Sequence, residues 1–192
     1  MSKENRATQF EAGEIRLADG GEKRTLEGYA SVFNTATDLG RFDEVIMPGT
    51  FARAINEDHD VRALIDHDPG RVIGRTKNET LELREDGKGL WTKITLPDTQ
   101  EGRDLATLIG RGDLDAMSFG FTVQSDKWEK VEGRNTRFIS DVDLFDVSVV
   151  AFPAYADATV ALRSMPEDKP VGDNCRLRFN LMLKNIQNKC NK

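Results

Sequence analysis

The sequence predicts a mainly β fold, in which short antiparallel strands form a closed or partly closed barrel that a few helices surround. Alternating or apolar runs recur about every 8 to 12 residues, with Gly, Asn and Asp turn signals between them. Before the C-terminal tail, only two segments have helical spacing. The 192 residues are enough for one domain with a substantial core.

The first half of the chain contains most of the predicted strands. Glu14 to Leu17 and Thr25 to Phe33 are expected to form a hairpin, and Gly28 indicates a bulge or a close backbone approach. Pro69-Gly70 is expected to form the turn that closes the strand before it. The other predicted strands in this half are Phe42 to Met47, Val61 to Ile65, Arg71 to Thr76, Thr80 to Glu85 and Leu90 to Leu96.

Two helices are predicted between these strands. The weaker covers Phe51 to Glu57. The stronger begins after Asp98, a candidate N-cap, and ends at Gly110 to Gly112. Its expected buried stripe consists of Leu105, Leu108 and Ile109.

The second half predicts strands at Ala116 to Val123 and Val142 to Phe152, with a separate hairpin of Trp128 to Val131 and Arg137 to Ser140 between them. Together these patterns predict three segments. Residues 1–13 are a loose N-terminus, 14–163 form the globular domain, and 164–192 are a linker followed by a basic amphipathic tail. Both cysteines, Cys175 and Cys190, lie in this tail, so no disulfide framework is expected in the core.

Composition argues against several classes of function. The formal charge is -6 and no basic stripe with interleaved aromatic residues occurs, so a nucleic-acid partner is not expected. The charged N-terminus has no apolar signal region, and the longest apolar run is too short to span a membrane, so we expect a cytosolic protein. With two histidines and no cysteine cluster, we predict no metal and no cofactor.

His67 and Ser118 are the residues that suggest chemistry. His67 follows the apolar run Val61 to Ile65, and Ser118 lies inside the apolar run Ala116 to Val123. A serine nucleophile needs a base to take its proton, and the base needs a third group to orient it. Taken singly, however, such a serine is more often a packed hydroxyl, and such a histidine is more often a solvated turn residue.

Asp146 is the candidate third group. It is the only acid in one phase of the last strand, which otherwise carries Val142, Leu144, Ser148 and Val150. Because an unpaired buried carboxylate is unfavourable, Asp146 needs a partner. His67 and an arginine in a structural ion pair remain equal alternatives from the pattern alone.

Six blocks in this order resemble the tailed-bacteriophage prohead protease family, the capsid maturation proteases that are related in fold to the herpesvirus assemblins. The resemblance covers about residues 14 to 163. The blocks are Gly28 to Phe33, Pro48 to Phe51, Leu64 to Asp68, Ile73 to Arg75, Met117 to Phe121 and Asp146 to Ala154.

The resemblance implies a serine endopeptidase with Ser118 as nucleophile, His67 as general base and Asp146 as third member. Assemblins carry a second histidine at the third position, whereas the comparable strand here has Asp146. Because this departs from the assemblin pattern, Asp143 and Asp66 are kept as alternatives to Asp146. It also implies an oxyanion site near Ala154 to Asp157. The implied protein partners are the major capsid protein and its scaffolding segment, and a homodimer is a further option. The resemblance also implies that the protein cleaves itself and that it is packaged from the host cytoplasm into the prohead.

Two other classes of protein remain open at this point. A non-catalytic scaffold-binding protein would leave capsid maturation unaffected by Ser118→Ala. A small β-barrel binding module for a peptide or sugar would place His67 far from Ser118.

Overall fold

The computed structural model describes residues 3–9, 16–20 and 23–151. Strands dominate this part of the chain, as predicted, and the two helices are α1 (Ala52–Asn56) and α2 (Gln100–Arg111). The strands are β1 (Glu4–Gln9), β2 (Arg16–Gly20), β3 (Lys23–Val32), β4 (Ala36–Asp38), β5 (Asp43–Ile46), β6 (Arg62–Ile65), β7 (Asp68–Arg75), β8 (Leu81–Glu85), β9 (Gly89–Thr95), β10 (Ala116–Val131) and β11 (Arg134–Val150).

The strands form two sheets. The first contains seven strands, with β10 between β1 and β11, while the second has the order β2-β3-β9-β8. Both sheets are open in the described part of the chain, so the predicted barrel closure is not confirmed. The predicted hairpins β2–β3 and β8–β9 are present. The register shift in β3 falls between Tyr29 and Ser31, just after Gly28.

The pairing of β11 corrects the expectation of purely antiparallel strands. β11 is 17 residues long, and its far edge pairs in parallel with β5 over its first half and with β6 over its second. Helix α1 lies between β5 and β6 in the chain, so it carries the backbone from one half of this edge to the other. Because β5 and β6 both pair in parallel with β11, the chain runs in the same direction along both halves of this edge.

The long strands also correct the predicted hairpin. Trp128–Val131 belongs to β10, whereas Arg137–Ser140 and the final strand belong to β11. Glu132 and Gly133 form the two-residue turn, both with positive φ. Two positive φ angles are typical of a type I′ turn, whose twist lets both strands continue without a break.

Helix α2 matches its prediction except at two positions. Thr99 is the N-cap rather than Asp98, and its side chain accepts a hydrogen bond from the Gly102 backbone N–H. Asp98 instead forms an ion pair with Arg103. Leu108 is 39% exposed, because the buried face of the helix comprises Gly102, Leu105, Ala106 and Ile109.

An aromatic cluster packs beneath the strand that carries Ser118. Phe119 contacts Phe51 edge-on at a centroid distance of 5.3 Å and stacks with Phe121 at 4.8 Å. Both phenylalanines of β10 are buried. Edge-on and offset aromatic pairs add to the stabilisation from burial. Because this packing fixes the position of β10 and which side of the strand faces the core, Ser118 lies on a rigid strand.

Candidate active site

The structure brings His67, Ser118 and Asp146 together. Ser118 Oγ is 2.6 Å from His67 Nε2, and His67 Nδ1 is 2.5 Å from Asp146 Oδ1. The three residues come from three adjacent segments of one sheet: Ser118 from β10, Asp146 from β11, and His67 from the turn after β6. The short separation of Ser118 and His67 contradicts the binding-module alternative, which required them to be far apart.

The turn that carries His67 lies three residues earlier than the sequence suggested. Asp66 and His67 themselves have positive φ angles of 51° and 57°, and strand β7 already begins at Asp68. The two-residue turn has the twist of a type I′ hairpin. Pro69 and Gly70, expected to form this turn, lie within β7 instead. Since β7 pairs only with β6 in the described residues, a proline without an N–H is tolerated there.

Strand register sets the separation of the serine and the acid. Ser118 lies opposite Ser148 in the β10–β11 ladder, and Gly120 lies opposite Asp146. A Cβ at Gly120 would be 2.3 Å from Asp146 Oδ2, so the absence of a side chain at this position makes room for the carboxylate. Asp66 N–H donates to the Val149 carbonyl oxygen at 2.9 Å, which anchors the His67 turn to β11.

Asp146 is buried and has three polar partners. Its Oδ1 accepts from His67 and from Ser148 Oγ at 2.9 Å, while its Oδ2 lies 2.7 Å from Lys3 Nζ. Burial is the largest single influence and acts to raise the pKa of Asp146, but the hydrogen bonds and charges of His67 and Lys3 outweigh it. The pKa of Asp146 therefore falls below its ordinary value, and the carboxylate is ionised at neutral pH.

The alternative acids do not reach His67. Asp143 accepts hydrogen bonds from Arg53 Nη2 at 2.6 Å and from Gln124 Nε2 at 2.5 Å. Asp66 accepts from the Ala151 backbone N–H at 3.1 Å. The geometry favours Asp146 over both. The expected oxyanion segment, Ala154 to Asp157, lies outside the described residues.

Sequence reasoning missed the N-terminal strand. Residues 1–13 were expected to be loose, yet Glu4–Gln9 pairs antiparallel with β10, and Ala7 lies opposite Ser118. Isolated polar residues near a terminus give no strand signal, because the pairing depends on the free edge of β10. Lys3 was therefore missed as a partner of Asp146. Ser148 could have been found, since it follows Asp146 in the same phase of β11.

Strand β1 also covers the serine. Ser118 is fully buried, and its hydroxyl donates to the Arg6 carbonyl oxygen at 2.7 Å. A hydroxyl has one proton, so it cannot donate to Arg6 and to His67 Nε2 at the same time. While β1 is in place, it competes with His67 for the proton that a nucleophilic serine must give up.

Comparison with known proteins decides the family. The profile of the caudovirus prohead serine protease family matches residues 11–169. The chain belongs to this family. Among its members, the prohead protease of Enterobacteria phage HK97 is 32% identical over 156 residues, which cover 79% of this chain and 65% of the relative. The chain thus spans about two thirds of the length of that prohead protease.

A solved structure supports the same fold. The capsid assembly protease of bacteriophage T4 superposes with a TM-score of 0.51, covering 78% of this chain and 99% of that one. Its sequence is 13% identical, so the likeness concerns the fold alone. No helix in the described part of the chain is long and apolar enough to cross a membrane.

Proposed function

We propose that this protein is a serine endopeptidase that cleaves the scaffold or capsid protein inside the prohead during capsid maturation, and that it also cleaves itself. The observation that carries this proposal is the hydrogen-bonded chain from Ser118 through His67 to Asp146. Membership of the prohead serine protease family supports it independently. The proposed partners are the major capsid protein and its scaffolding segment, met within the prohead assembled in the host cytoplasm.

In the proposed mechanism, Ser118 Oγ attacks the carbonyl carbon of the scissile peptide bond and forms a tetrahedral intermediate, which becomes an ester of Ser118 when the C–N bond breaks. His67 Nε2 takes the hydroxyl proton, and ionised Asp146 holds the ring by Nδ1 and stabilises the imidazolium. The C–N bond then breaks, and Nε2 returns the proton to the leaving amine. A water molecule hydrolyses the ester by the same steps, which frees the acid product and restores Ser118.

Strand β1 must leave before a substrate can use this site. Its backbone occupies the edge of β10 beside Ser118, where an extended substrate would pair. Its departure frees the Ser118 hydroxyl to donate to His67. It also removes Lys3 from Asp146, so that a protonated His67 becomes the main positive partner of the carboxylate.

The test is co-expression with the cognate capsid and scaffold proteins. Ser118→Ala should abolish cleavage and keep the fold, since triad removals in serine proteases cost about 10⁴- to 10⁶-fold in rate. His67→Ala should be equally inactive. His59→Ala is the matched control, because His59 contacts Glu57 at the protein surface and should be dispensable.

Two outcomes would contradict the proposal. Undiminished processing by folded Ser118→Ala would favour the scaffold-binding alternative, in which this protein assembles with the capsid but does not cut it. If only His59→Ala lost activity, the general base would be His59 and the assignment of His67 would be wrong. Circular dichroism of each variant separates loss of chemistry from loss of fold.

A further inference from the structure

A cluster of buried charges connects β1 with β5 and β11. Glu4 and Arg6 come from β1, Glu44 from β5 and Arg137 from β11, and each is at most 5% exposed. Glu44 and Arg137 are neighbours in the parallel register of β5 and β11. Buried charges of this kind are favourable only when each is closely paired.

Arg6 and Glu44 form a bidentate ion pair. Arg6 Nε donates to Glu44 Oε1, and its Nη2 donates to Oε2 at 3.0 Å. The guanidinium also lies over the ring of Phe121, at 5.5 Å from its centroid. Burial acts to lower the pKa of Arg6, but Glu44 and Glu4 outweigh it and the pKa is raised. This planar, two-point contact suits arginine in particular.

The backbone of Arg6 connects this cluster to the candidate catalytic residues. The carbonyl that accepts from Ser118 Oγ belongs to Arg6, so the peptide bond presented to the serine is Arg6–Ala7. In the resting contact the hydroxyl meets the carbonyl oxygen rather than its carbon, which is not the geometry of attack. The strand nevertheless occupies the place of a substrate, with Arg6 immediately before the presented bond.

Departure of β1 leaves an excess of negative charge in this cluster. Arg137 then retains Asp126 at 2.6 Å and Glu44 at 3.3 Å, so one guanidinium serves two carboxylates. On β1, Glu4 contributes the opposite kind of contact, a carboxylate that accepts a hydrogen bond from Arg137 Nη1 at 3.1 Å. Glu4 and Arg6 are two residues apart and face the same side of β1.

We propose that Glu44 determines specificity by binding an arginine or lysine immediately before the cleaved bond, and that Arg137 binds an acidic side chain two residues earlier. The inference rests on the proposed protease function and adds the substrate motif, acidic-any-basic in that order. It treats β1 as an internal copy of that motif, Glu4-Asn5-Arg6 followed by Ala7.

The test measures kcat/KM of the full-length protein on a reporter that carries residues 3–9 between two folded carrier domains. Reporter variants replace the arginine with lysine, methionine or glutamate, and one exchanges the glutamate and arginine while keeping the composition. Arginine should exceed methionine by about 100-fold, since sites built around buried polar partners reject analogues that lack them. The exchanged reporter should be cut no faster than the methionine one.

Glu44→Gln keeps the shape of the pocket and removes its charge, so the arginine-to-methionine ratio should fall below about tenfold. Asp43→Asn is the matched control, because Asp43 precedes Glu44 on β5 and contacts Arg134 instead; its ratio should remain that of the wild type. Arg137→Gln should lose the preference for glutamate at the earlier position. If Glu44→Gln fails to fold, Glu44→Asp, whose shorter side chain moves the carboxylate away from the substrate cation, should lower the same ratio.

The outcomes separate the inference from the function on which it rests. Ser118-dependent cleavage with equal rates on the arginine, methionine and glutamate reporters overturns the specificity assignment and leaves the protease standing. An unchanged ratio in folded Glu44→Gln also overturns it. Reporter cleavage by Ser118→Ala at the wild-type rate overturns the protease proposal and the inference together. No reporter cleavage by a wild-type protein that still processes its capsid protein overturns the inference alone.

Discussion

Asp146 combines burial with ionisation, which makes it the most specific single residue of the site. Its hydrogen bonds to His67 and Ser148 and its ion pair with Lys3 replace the water lost on burial. A neutral amide at this position would retain the shape but lose the charge that stabilises a protonated His67. The residue therefore allows the electrostatic part of the proposed mechanism to be tested without disrupting the core.

We expect Asp146→Asn to fold and to lower kcat by about 10⁴-fold, because the imidazole loses the carboxylate that fixes its tautomer. Asp143→Asn and Asp66→Asn should stay within about tenfold of wild type, since neither acid contacts His67. Single-turnover cleavage of one substrate by all three variants provides the comparison. Greater damage from Asp143→Asn or Asp66→Asn would reassign the third member.

Gly120 has a steric role in the same site. A Cβ there would meet Asp146 Oδ2 at 2.3 Å and Asn5 Oδ1 at 3.0 Å. Gly120→Ala should therefore displace the carboxylate, lowering kcat/KM by about 100-fold through misalignment and costing about 1–3 kcal/mol of stability through overpacking.

Gly110 provides the control for this prediction. It lies in α2, where a Cβ would meet no atom of another element within 4 Å, so Gly110→Ala should raise the free energy of unfolding by about 0.5–1 kcal/mol and leave activity unchanged. Urea unfolding and cleavage assays on both variants make the comparison. Equal activity of Gly120→Ala and wild type would show that Asp146 can move without consequence.

At the scale of elements, the β6–β7 turn is what aims His67 at the sheet. Asp66 and His67 both adopt the left-handed region, which asparagine and aspartate tolerate better than β-branched residues. Asp66→Val should cost about 1–2 kcal/mol of stability and reduce activity, because the turn loses its conformation. Asp66→Asn should preserve both, which separates the effect of the backbone from that of the charge.

The measurements for this turn are urea unfolding and the same single-turnover assay. A stable, fully active Asp66→Val protein would show that the turn does not need the left-handed conformation to position the base. The pair of variants also distinguishes this backbone effect from any role of Asp66 as the third member of the triad.

At the scale of the whole molecule, charge divides the chain into two unlike parts. Residues 164–192 carry six basic and three acidic side chains, a net +3, and the remainder is -9. The tail lies outside the described residues and stays a prediction: a linker followed by a basic amphipathic segment that targets the protein into the assembling capsid and is then removed by self-cleavage.

Intact-mass analysis tests that prediction. Purified wild type should lose about the last 20 to 30 residues, cut within the predicted linker, and Ser118→Ala should remain full length. Equal truncation of both proteins would indicate a host protease, and full-length wild type in mature particles would contradict processing of the tail.

Local patterns in the sequence determined much of this protein. The hairpins β2–β3 and β8–β9, the end of α2 at Gly112 and the strand around Ser118 follow from turn residues, capping and alternation over short distances. His67, Ser118 and Asp146 could be selected because a polar residue in an apolar strand stands out, and the family resemblance linked them. Their meeting itself depended on strand register, which the sequence does not state.

Tertiary structure decided the rest, because it depends on which edges are free. Glu4–Gln9 forms a strand only where β10 offers an unpaired edge, so Lys3 and Arg6 reach Asp146, Ser118 and Glu44 without any local signal. The turn moved from Pro69-Gly70 to Asp66-His67 because pairing of β7 with β6 sets where the chain reverses. Glu44 and Arg137 become neighbours only through parallel pairing of strands that lie about 90 residues apart in sequence.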